Sequence, residues 1–215
     1  MIGFPSPNFG ERRRWATPRL IVLHYTAMPT CAEARARLCA LQHEVSAHWL
    51  IAENGQTEQL VDETMRAWHA GAGSWAGMDD INSHSLGIEL ANTGFHPFPE
   101  PQMVALESLL RAMMQRWSIA PRGVIAHSDM APDRKGDPGA RFDWRRLARA
   151  GLSVWPQSDG DENRPLASSL AQIGYPAVDA NSLLAAFRLR FRPYATGPET
   201  ASDRAMADAV ASLFA

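Results

Sequence analysis

The stretch Ala126–Asp137, AHSDMAPDRKGD, decides how the rest of the chain is interpreted. It follows a short apolar run at Gly123–Ile125 that is typical of a strand, and a proline and a glycine within it predict a loop rather than a helix. Loops that leave the ends of strands commonly carry reactive groups. The candidate functional side chains in this loop are His127, Asp129, Asp133, Lys135 and Asp137. His127 and Asp137 are suitable zinc ligands, so the stretch predicts part of a metal site whose third ligand lies elsewhere.

Length and composition indicate an ordinary globular chain. The 215 residues suit one well-buried domain with a small appendage, and 46% of them are hydrophobic and 20% charged. The net charge of −2 argues against nucleic acid or an anionic membrane as a partner. No apolar run approaches the roughly 18 residues that a membrane-spanning helix needs.

Residues 1–15 show no apolar core of a secretory signal, so we expect a cytoplasmic protein. A chain whose signal had been removed would look the same, which leaves the periplasm as the alternative. The run Arg12-Arg13-Arg14 is either a solvated face or a contact for an anionic substrate.

Apolar runs and helical periodicity predict alternating strands and helices after an irregular arm at residues 1–18. The predicted strands are Arg19–Leu23, Ser46–Ile51, Thr57–Val61 after an Asn54-Gly55 turn, Ser85–Leu90 and Gly123–Ile125. The predicted helices are Thr30–His43 with Thr30 as its N-cap, Pro101–Trp117 and Phe142–Ala150. Residues 68–85 are predicted to be a long irregular segment, which in a compact domain is usually functional.

The two cysteines are predicted to be buried or half-buried thiols rather than metal ligands. Eight helical residues place Cys31 and Cys39 roughly 12 Å apart. A disulfide needs Cα atoms within about 7 Å, so the two do not pair.

His24 is the candidate for the third ligand. It follows the predicted strand Arg19–Leu23, as His127 follows another apolar run, and two such strand ends in one sheet would lie close together. A single histidine in this setting is more often structural. His48, inside a predicted strand, is interpreted as a packed or surface histidine.

Two imidazoles and a carboxylate leave a tetrahedral zinc one open position, as catalytic sites do. Hydrolysis of an amide or ester is the direct consequence, and it requires a base and a cation for the developing oxyanion. Glu89, in the predicted core strand, is the candidate base unless it faces solvent at a sheet edge. Lys135 is the candidate cation unless it is an ordinary surface lysine.

Residues 151–165 are polar and rich in turn formers, so we expect a linker between a catalytic domain at 1–150 and a helical segment at 166–215. Three helices are predicted in that last segment, Leu166–Ile173, Asn181–Phe191 and Ser202–Phe214. Asp179 or Asn181 and then Ser202 are the candidate caps. The segment either docks on the first domain or forms a small three-helix module.

Five strings together resemble the type 2 N-acetylmuramyl-L-alanine amidase family. They are LHYTA, VSAHWLIAENG, RAWHAG, NSHSLGIELAN and AHSDMAPDRKGDPG, in the family's order, and they cover roughly residues 18–147. The last string resembles the anhydromuramyl-peptide amidases of peptidoglycan recycling. One departure is Trp49 of SAHWLI, where many relatives have a tyrosine, so no phenol is available at that position.

The resemblance implies an α/β fold with a mixed central β-sheet flanked by helices, and one zinc ion per chain. His24, His127 and Asp137 match the family's zinc ligands, Glu89 its catalytic glutamate and Lys135 its transition-state lysine. The positions matching the family's substrate cleft are Trp68, His69, Ala70 and Asn82. The C-terminal helices resemble the peptidoglycan-binding-type helical module of some relatives.

The resemblance implies hydrolysis of the amide between N-acetylmuramic acid and the L-alanine of peptidoglycan stem peptides. The 1,6-anhydro form of a cytoplasmic recycling pathway is the expected substrate, and intact periplasmic peptidoglycan is the alternative. Peptidoglycan recognition proteins share the fold without cleaving, but they commonly lack a zinc ligand. This chain has all three.

Overall fold

The computed structural model describes residues 5–215, so the first four residues of the predicted N-terminal arm lie outside the described residues. The strands are β1 Phe9–Gly10, β2 Leu20–Tyr25, β3 Trp49–Ile51, β4 Thr57–Gln59, β5 Arg66–Ala67, β6 Ser85–Leu90 and β7 Val124–Ala126. The α-helices are α1 Cys31–Leu38, α2 Ile81–His84, α3 Glu100–Trp117, α4 His127–Met130, α5 Trp144–Arg149, α6 Leu166–Ile173, α7 Ala180–Phe191 and α8 Ala201–Ala211. Short 3₁₀ helices lie at Arg13–Trp15, Leu41–His43, Pro121–Gly123 and Ser212–Phe214.

Five strands form a mixed sheet in the order β4-β3-β6-β2-β7. The pairs β3–β6, β6–β2 and β2–β7 are parallel, and the β3–β4 hairpin is antiparallel. The carboxyl ends of β2, β6 and β7 therefore lie at one edge of the sheet. The mixed sheet flanked by helices that the family resemblance implied is confirmed.

Alternate residues of β2 and β6 point to opposite faces of the sheet, because side chains alternate along a strand. Ile21 and Leu23 lie on the face that α3 covers, with Met103 and Leu106 of the helix. Leu20 and Val22 lie on the other face, against the C-terminal helices. Continuing the alternation places His24 on that second face, beyond the part that the helices cover.

The C-terminal helices share a core with the sheet. Leu170 of α6, Phe187 and Phe191 of α7 and Val210 of α8 are buried in one cluster with Val22 of β2. Residues 151–165 form no helix or strand. The helical segment therefore docks on the sheet, and the division into a domain at 1–150, a linker at 151–165 and a module at 166–215 stays a prediction.

Several local predictions are corrected by the structure. The predicted N-terminal arm contains β1, which pairs with β5. The predicted strand at Arg19–Leu23 extends to Tyr25, so His24 lies within it. Asp179 caps α7 as predicted, but Thr200 and not Ser202 caps α8, because its hydroxyl accepts from the Asp203 amide.

The stretch Ala126–Asp137 was predicted as a loop, and this was wrong for its first part. His127–Met130 form the single helical turn α4, immediately after β7, and Pro132 and Gly136 lie only in the irregular part that follows. A four-residue helix has too few positions to show helical periodicity, so the sequence pattern does not reveal it.

The described residues include no helix that is both long enough and apolar enough to cross a membrane.

Candidate active site

His24 and Glu89 are brought together by the register of two parallel strands. β2 and β6 pair His24 with Glu89, and β3 pairs Leu50 with Glu89, so Glu89 lies on a central strand. The alternative that Glu89 faces solvent on a sheet edge is therefore wrong. Both side chains lie on the same face at the carboxyl ends of the strands, where a parallel sheet commonly presents its site.

His24 also belongs to a group of three possible metal ligands, with His127 and Asp137. His24 Nδ1 lies 2.9 Å from His127 Nδ1 and 2.9 Å from Asp137 Oδ2, and His127 Nδ1 lies 3.0 Å from Asp137 Oδ2. They form a group that could hold a metal ion. A tetrahedral zinc with bonds near 2.0–2.1 Å separates its ligand atoms by roughly 3.3 Å, so small outward shifts would accommodate it.

A chain of hydrogen bonds directs the His24 Nδ1 lone pair at this centre. The Ser85 hydroxyl donates to the Ile81 carbonyl over 2.6 Å, so its oxygen accepts from His69 Nε2 over 3.2 Å. Neutral His69 then accepts at Nδ1 from His24 Nε2 over 3.0 Å. Burial, and next the neighbouring His24, lowers the pKa of His69 well below 6.5, so that ring is neutral at pH 7.

His24 itself is also neutral at pH 7. Burial, followed by the neighbouring His127, lowers the pKa of His24 to about 4. With its proton on Nε2, the ring presents a free lone pair at Nδ1, which is the form that binds a metal.

His127 is oriented by a carbonyl. Its Nε2 lies 2.9 Å from Ala70 O, an atom that can only accept, so Nε2 carries the proton and Nδ1 faces the centre. Hydrogen bonds of this kind fix the tautomer of metal-binding histidines. The donor set and its orientation therefore fit a single metal ion.

Asp137 is the anionic member of the group. Burial opposes its ionisation, but the close contacts of its carboxylate with His127 and His24 outweigh burial, and the pKa of Asp137 lies well below its usual 3.8. Its backbone carbonyl accepts from Ser128 N over 3.1 Å, which links the loop to α4. The carboxylate is thus ionised and held in place before any cation binds.

Glu89 carries a buried oxygen that lacks a partner. Its Oε2 is inaccessible to solvent and makes no hydrogen bond within residues 5–215. Burial, and next the Asp137 carboxylate, raises the pKa of Glu89 to about 8. A cation bound by the neighbouring ligands would lower that pKa again, because it favours the ionised form. A buried carboxylate oxygen without a hydrogen-bond partner has a cost that a functional role explains.

A cavity of about 430 Å³ contains these groups. The predicted site residues that line it are His24, Trp68, His69, Glu89, His127, Lys135 and Asp137. Its size lies within the range of small-molecule sites. Lys135 is exposed and has no hydrogen bond or ion pair from its ammonium among the described residues, so it is free to contact a ligand.

Two of the predicted substrate-binding residues have other contacts. Asn82 is buried and its Oδ1 accepts from the backbone amides of His69, over 3.0 Å, and of Ala70, over 2.8 Å. Ala70 has no exposed surface and its carbonyl accepts from His127. The described lining of the cavity contains neither residue, so both act on the position of the site rather than on its surface.

Gly87 of β6 is a residue that the sequence analysis missed. A Cβ at this position would lie 2.4 Å from His69 Cγ and 2.6 Å from His69 Nδ1, so only a glycine lets the imidazole lie flat on the strand. The string NSHSLGIELAN contains the glycine, but nothing in it identifies His69 as the neighbour.

Three other predicted side chains lie outside the site. Trp49 packs on the opposite face of the sheet, where its Nε1 donates to Glu63 Oε1 over 2.8 Å, so it takes no part in the cavity. His48 is fully buried, as the packed alternative predicted. Arg12 is directed inward and donates to the carbonyls of Ser83 and Ser85, over 2.7 and 3.1 Å, rather than facing a substrate.

Cys31 and Cys39 form no disulfide and are half-buried, as predicted.

The mixed sheet, the convergent donor set and the adjacent carboxylate define an α/β protein with a group of ligands that could hold one metal ion, as the sites of metal-dependent hydrolases do. The chain belongs to the N-acetylmuramoyl-L-alanine amidase (Amidase_2) family, whose sequence model matches residues 14–140. It is an enzyme of that class, and the family resemblance in the sequence is confirmed.

Individual relatives differ in how much of the chain they match. N-acetylmuramoyl-L-alanine amidase AmiD of Escherichia coli K12 is 33% identical over 91% of this chain and 83% of its own. The 1,6-anhydro-N-acetylmuramyl-L-alanine amidase AmpD of the same strain is 33% identical, over 66% of this chain and 87% of its own. The AmiD match therefore extends into the C-terminal helices.

Two solved structures match nearly the whole length of the chain. AmiD from E. coli, in complex with anhydro-N-acetylmuramic acid-L-Ala-D-γ-Glu-L-Lys, aligns with a TM-score of 0.81 at 33% identity over 94% of this chain and 93% of that one. AmpDH3 from Pseudomonas aeruginosa aligns with a TM-score of 0.82 at 30% identity over 99% of both chains. The C-terminal helices are thus part of a fold shared with these amidases.

Proposed function

We propose that this chain hydrolyses the amide between 1,6-anhydro-N-acetylmuramic acid and the L-alanine of a peptidoglycan stem peptide, in cell-wall recycling, with one zinc ion per chain. The observation that carries the proposal is the convergence of His24 Nδ1, His127 Nδ1 and Asp137 Oδ2 beside the unpaired Glu89 in one cavity. The family membership supplies the amide class of the reaction.

His24, His127 and Asp137 would hold the zinc ion through two neutral imidazoles and one ionised carboxylate. When bound, zinc acts as a Lewis acid that polarises the scissile carbonyl and acidifies the attacking water. The hydrogen bonds from His24 and His127 to His69 and Ala70 keep both lone pairs directed at the ion. The site is therefore preorganised by groups that do not bind the metal.

Glu89 is the proposed general base. Its buried, unpaired Oε2 takes the proton of the attacking water, and the resulting carboxylic acid returns that proton to the nitrogen of L-alanine as the amide bond breaks. The oxygen of the water joins the lactyl carbonyl carbon, and the carboxylic acid formed there passes its remaining proton to the freed amine. The products are a lactyl carboxylate and a protonated amino terminus, so atoms and charge balance. Positioned proton transfer of this kind contributes about 10²–10⁴-fold to a rate.

Lys135 is the proposed second cation. Its exposed ammonium lines the cavity two residues before Asp137, where it can donate to the oxygen that becomes negative as the carbonyl is attacked. A fixed charge contributes most when it faces charge that develops in the transition state.

The anhydro form of the substrate is supported by the relatives. AmiD and AmpDH3 have both been solved with anhydromuramyl peptides, and AmpD is named for the 1,6-anhydro form. Trp68 and His69 line the cavity and are the proposed substrate contacts. Ala70 and Asn82, which the sequence also predicted, would act by holding the segment that carries Trp68 and His69.

The compartment and the division of the chain complete the proposal. We place the reaction in the cytoplasm, with the periplasm as the alternative. Residues 166–215 are the proposed peptidoglycan-binding-like module after a catalytic domain at 1–150 and a linker at 151–165. An enzyme of intact peptidoglycan would need such a module more than an enzyme of soluble fragments.

Mass spectrometry of the products tests this proposal. Zinc-loaded enzyme is incubated in parallel with a soluble anhydromuramyl tripeptide and with insoluble sacculi, and Glu89→Gln serves as the control. We expect release of the tripeptide with a free L-alanine amino group, and faster turnover of the soluble substrate. Absence of released peptide with wild-type enzyme would refute the amidase proposal, and faster cleavage of sacculi would refute the substrate form and favour the periplasm.

A further inference from the structure

Helix α4 connects two of the three proposed metal ligands. His127 is its first residue, and Ser128 N donates to the backbone carbonyl of Asp137 over 3.1 Å. All four residues of the helix are buried. Any displacement of α4 would therefore move His127 and Asp137 relative to His24, which is fixed in β2.

Asp129, the third residue of α4, presents a carboxylate with no exposed surface. One of its oxygens, Oδ2, accepts from Ala126 N over 2.9 Å, and Ala126 is the residue that precedes His127. A buried carboxylate is strongly disfavoured unless charged or polar groups compensate it. The partners that compensate Asp129 fix the start of α4 at the same time.

Both further partners of Asp129 come from the C-terminal helical segment. Tyr175, between α6 and α7, donates its hydroxyl to Oδ1 over 2.7 Å. Arg190 of α7 donates a hydrogen bond from Nη1 to Asp129 Oδ2 over 2.5 Å. Arg190 is also buried. Burial, and next the charge of Asp129, raises the pKa of the Tyr175 phenol well above 10.0, so the hydroxyl remains a donor.

Arg190 is itself held on several sides. Its Nη2 donates to Val124 O over 3.2 Å and to Ser153 Oγ over 3.1 Å, and its guanidinium lies 4.2 Å from the centre of the Trp144 ring. Val124 begins β7, the strand that leads into α4. The arginine therefore bridges the strand, the helix that follows it and the C-terminal segment.

We propose that Arg190 and Tyr175 are positioning residues for the metal site, and that the C-terminal helices act on catalysis by fixing α4 through Asp129. The inference rests on the proposed metal site. It assigns these helices a role in the catalytic centre that does not depend on glycan binding. A buried ion pair commonly contributes little net stability, whereas it can specify one arrangement of the groups around it.

α7 supplies a matched control for this proposal. Arg188 lies two residues before Arg190, is likewise buried, and pairs with a carboxylate of no exposed surface, with Nη2 at 2.5 Å from Asp203 Oδ2. This second pair joins α7 to α8, and within residues 5–215 neither Arg188 nor Asp203 makes a side-chain hydrogen bond or an ion pair with α4. Loss of either arginine removes an ion pair from a buried aspartate. Asp203 keeps a second ion pair with Arg192, and only Asp129 belongs to α4.

The test measures zinc affinity by competition with a chromophoric chelator for wild type, Arg190→Gln, Tyr175→Phe and Arg188→Gln. Each protein is kept at a temperature where circular dichroism shows it folded, and kcat and KM are measured on the muramyl tripeptide. We expect Arg190→Gln to weaken zinc binding about tenfold or more and to lower kcat, with KM little changed. Tyr175→Phe removes only the hydroxyl that donates to Asp129, so we expect it to weaken zinc binding while the protein remains folded.

Arg188→Gln is expected to lower the melting temperature and leave zinc affinity at the wild-type value. Equal loss of zinc affinity in Arg188→Gln and Arg190→Gln, or wild-type affinity in both Arg190→Gln and Tyr175→Phe, would overturn the inference while the proposed function stands. A wild-type enzyme that binds no zinc would overturn the proposed function itself, and this inference with it.

Discussion

Replacement of Gly87 by alanine tests the hydrogen-bond chain behind His24. The added Cβ would lie 2.4 Å from His69 Cγ and 2.7 Å from His69 Cδ2, closer than non-bonded carbon atoms approach. The imidazole must therefore move off the strand, which breaks its contacts to His24 over 3.0 Å and to Ser85 over 3.2 Å. His24 then loses the partner that fixes its tautomer.

The magnitude follows from these contacts. Overpacking a close-packed site costs about 1–3 kcal/mol, and each lost hydrogen bond costs about 1 kcal/mol more. Alanine in place of glycine recovers about 0.4–1 kcal/mol, because the unfolded chain has less freedom. We expect Gly87→Ala to lower the free energy of unfolding by about 2–4 kcal/mol and zinc affinity by about 10–100-fold.

Gly123→Ala is the control for the Gly87 variant. Its Cβ would meet Arg19 O and Ile119 Cγ2, both at 2.8 Å, just before β7 at the end of the sheet away from the site. It should lower the free energy of unfolding without changing zinc affinity. Urea denaturation and chelator competition measure the two quantities. Wild-type zinc affinity in Gly87→Ala, or the same loss in both variants, would refute the role assigned to His69.

Three further predictions concern the proton, the oxyanion and the C-terminal helices. Glu89→Gln should bind zinc like wild type but lose about 10²–10⁴-fold in kcat, as product release and zinc content will show. Lys135→Ala should lower kcat by about 10²-fold with little loss of zinc; an unchanged kcat would make it an ordinary surface lysine. Burial raises the pKa of Asp203, but hydrogen bonds from Arg188 and Thr200 outweigh it and hold the pKa below 3.8. The stabilisation that ionised Asp203 gives to the fold is therefore present above pH 3.8 and is lost as pH falls through its lower folded-state pKa. Urea denaturation of Asp203→Asn at several pH values should therefore show a smaller loss of stability in acid than wild type.

The five residues expected to carry the chemistry could be inferred from the sequence because each stands beside a strong local signal. His24 and His127 come at or after apolar runs, Glu89 interrupts one, and Lys135 and Asp137 share the loop rich in proline and glycine. The register that pairs His24 with Glu89 could not be inferred in the same way, because membership of one sheet does not fix which strands are neighbours or how they align.

The supporting contacts could not be inferred because they join residues far apart in sequence. Arg190 lies 61 positions from Asp129, and Tyr175 lies 46 positions from it. Asp129 precedes Met130, and Arg190 lies between Leu189 and Phe191, but apolar neighbours in the sequence do not identify which distant charged residue is the partner of each. Prediction also fails between residues that are close in sequence. Ser202 and Thr200 are both suitable N-cap residues, and only the position at which α8 begins shows that Thr200 is the cap.

The central claim is that His24, His127 and Asp137 bind one zinc ion. A crystal of zinc-loaded protein, measured with X-rays above and below the zinc absorption edge, tests it directly. We predict a single anomalous peak about 2.0–2.2 Å from His24 Nδ1, His127 Nδ1 and a carboxylate oxygen of Asp137. A peak at other residues, or no peak in protein that hydrolyses the muramyl peptide, would contradict the account.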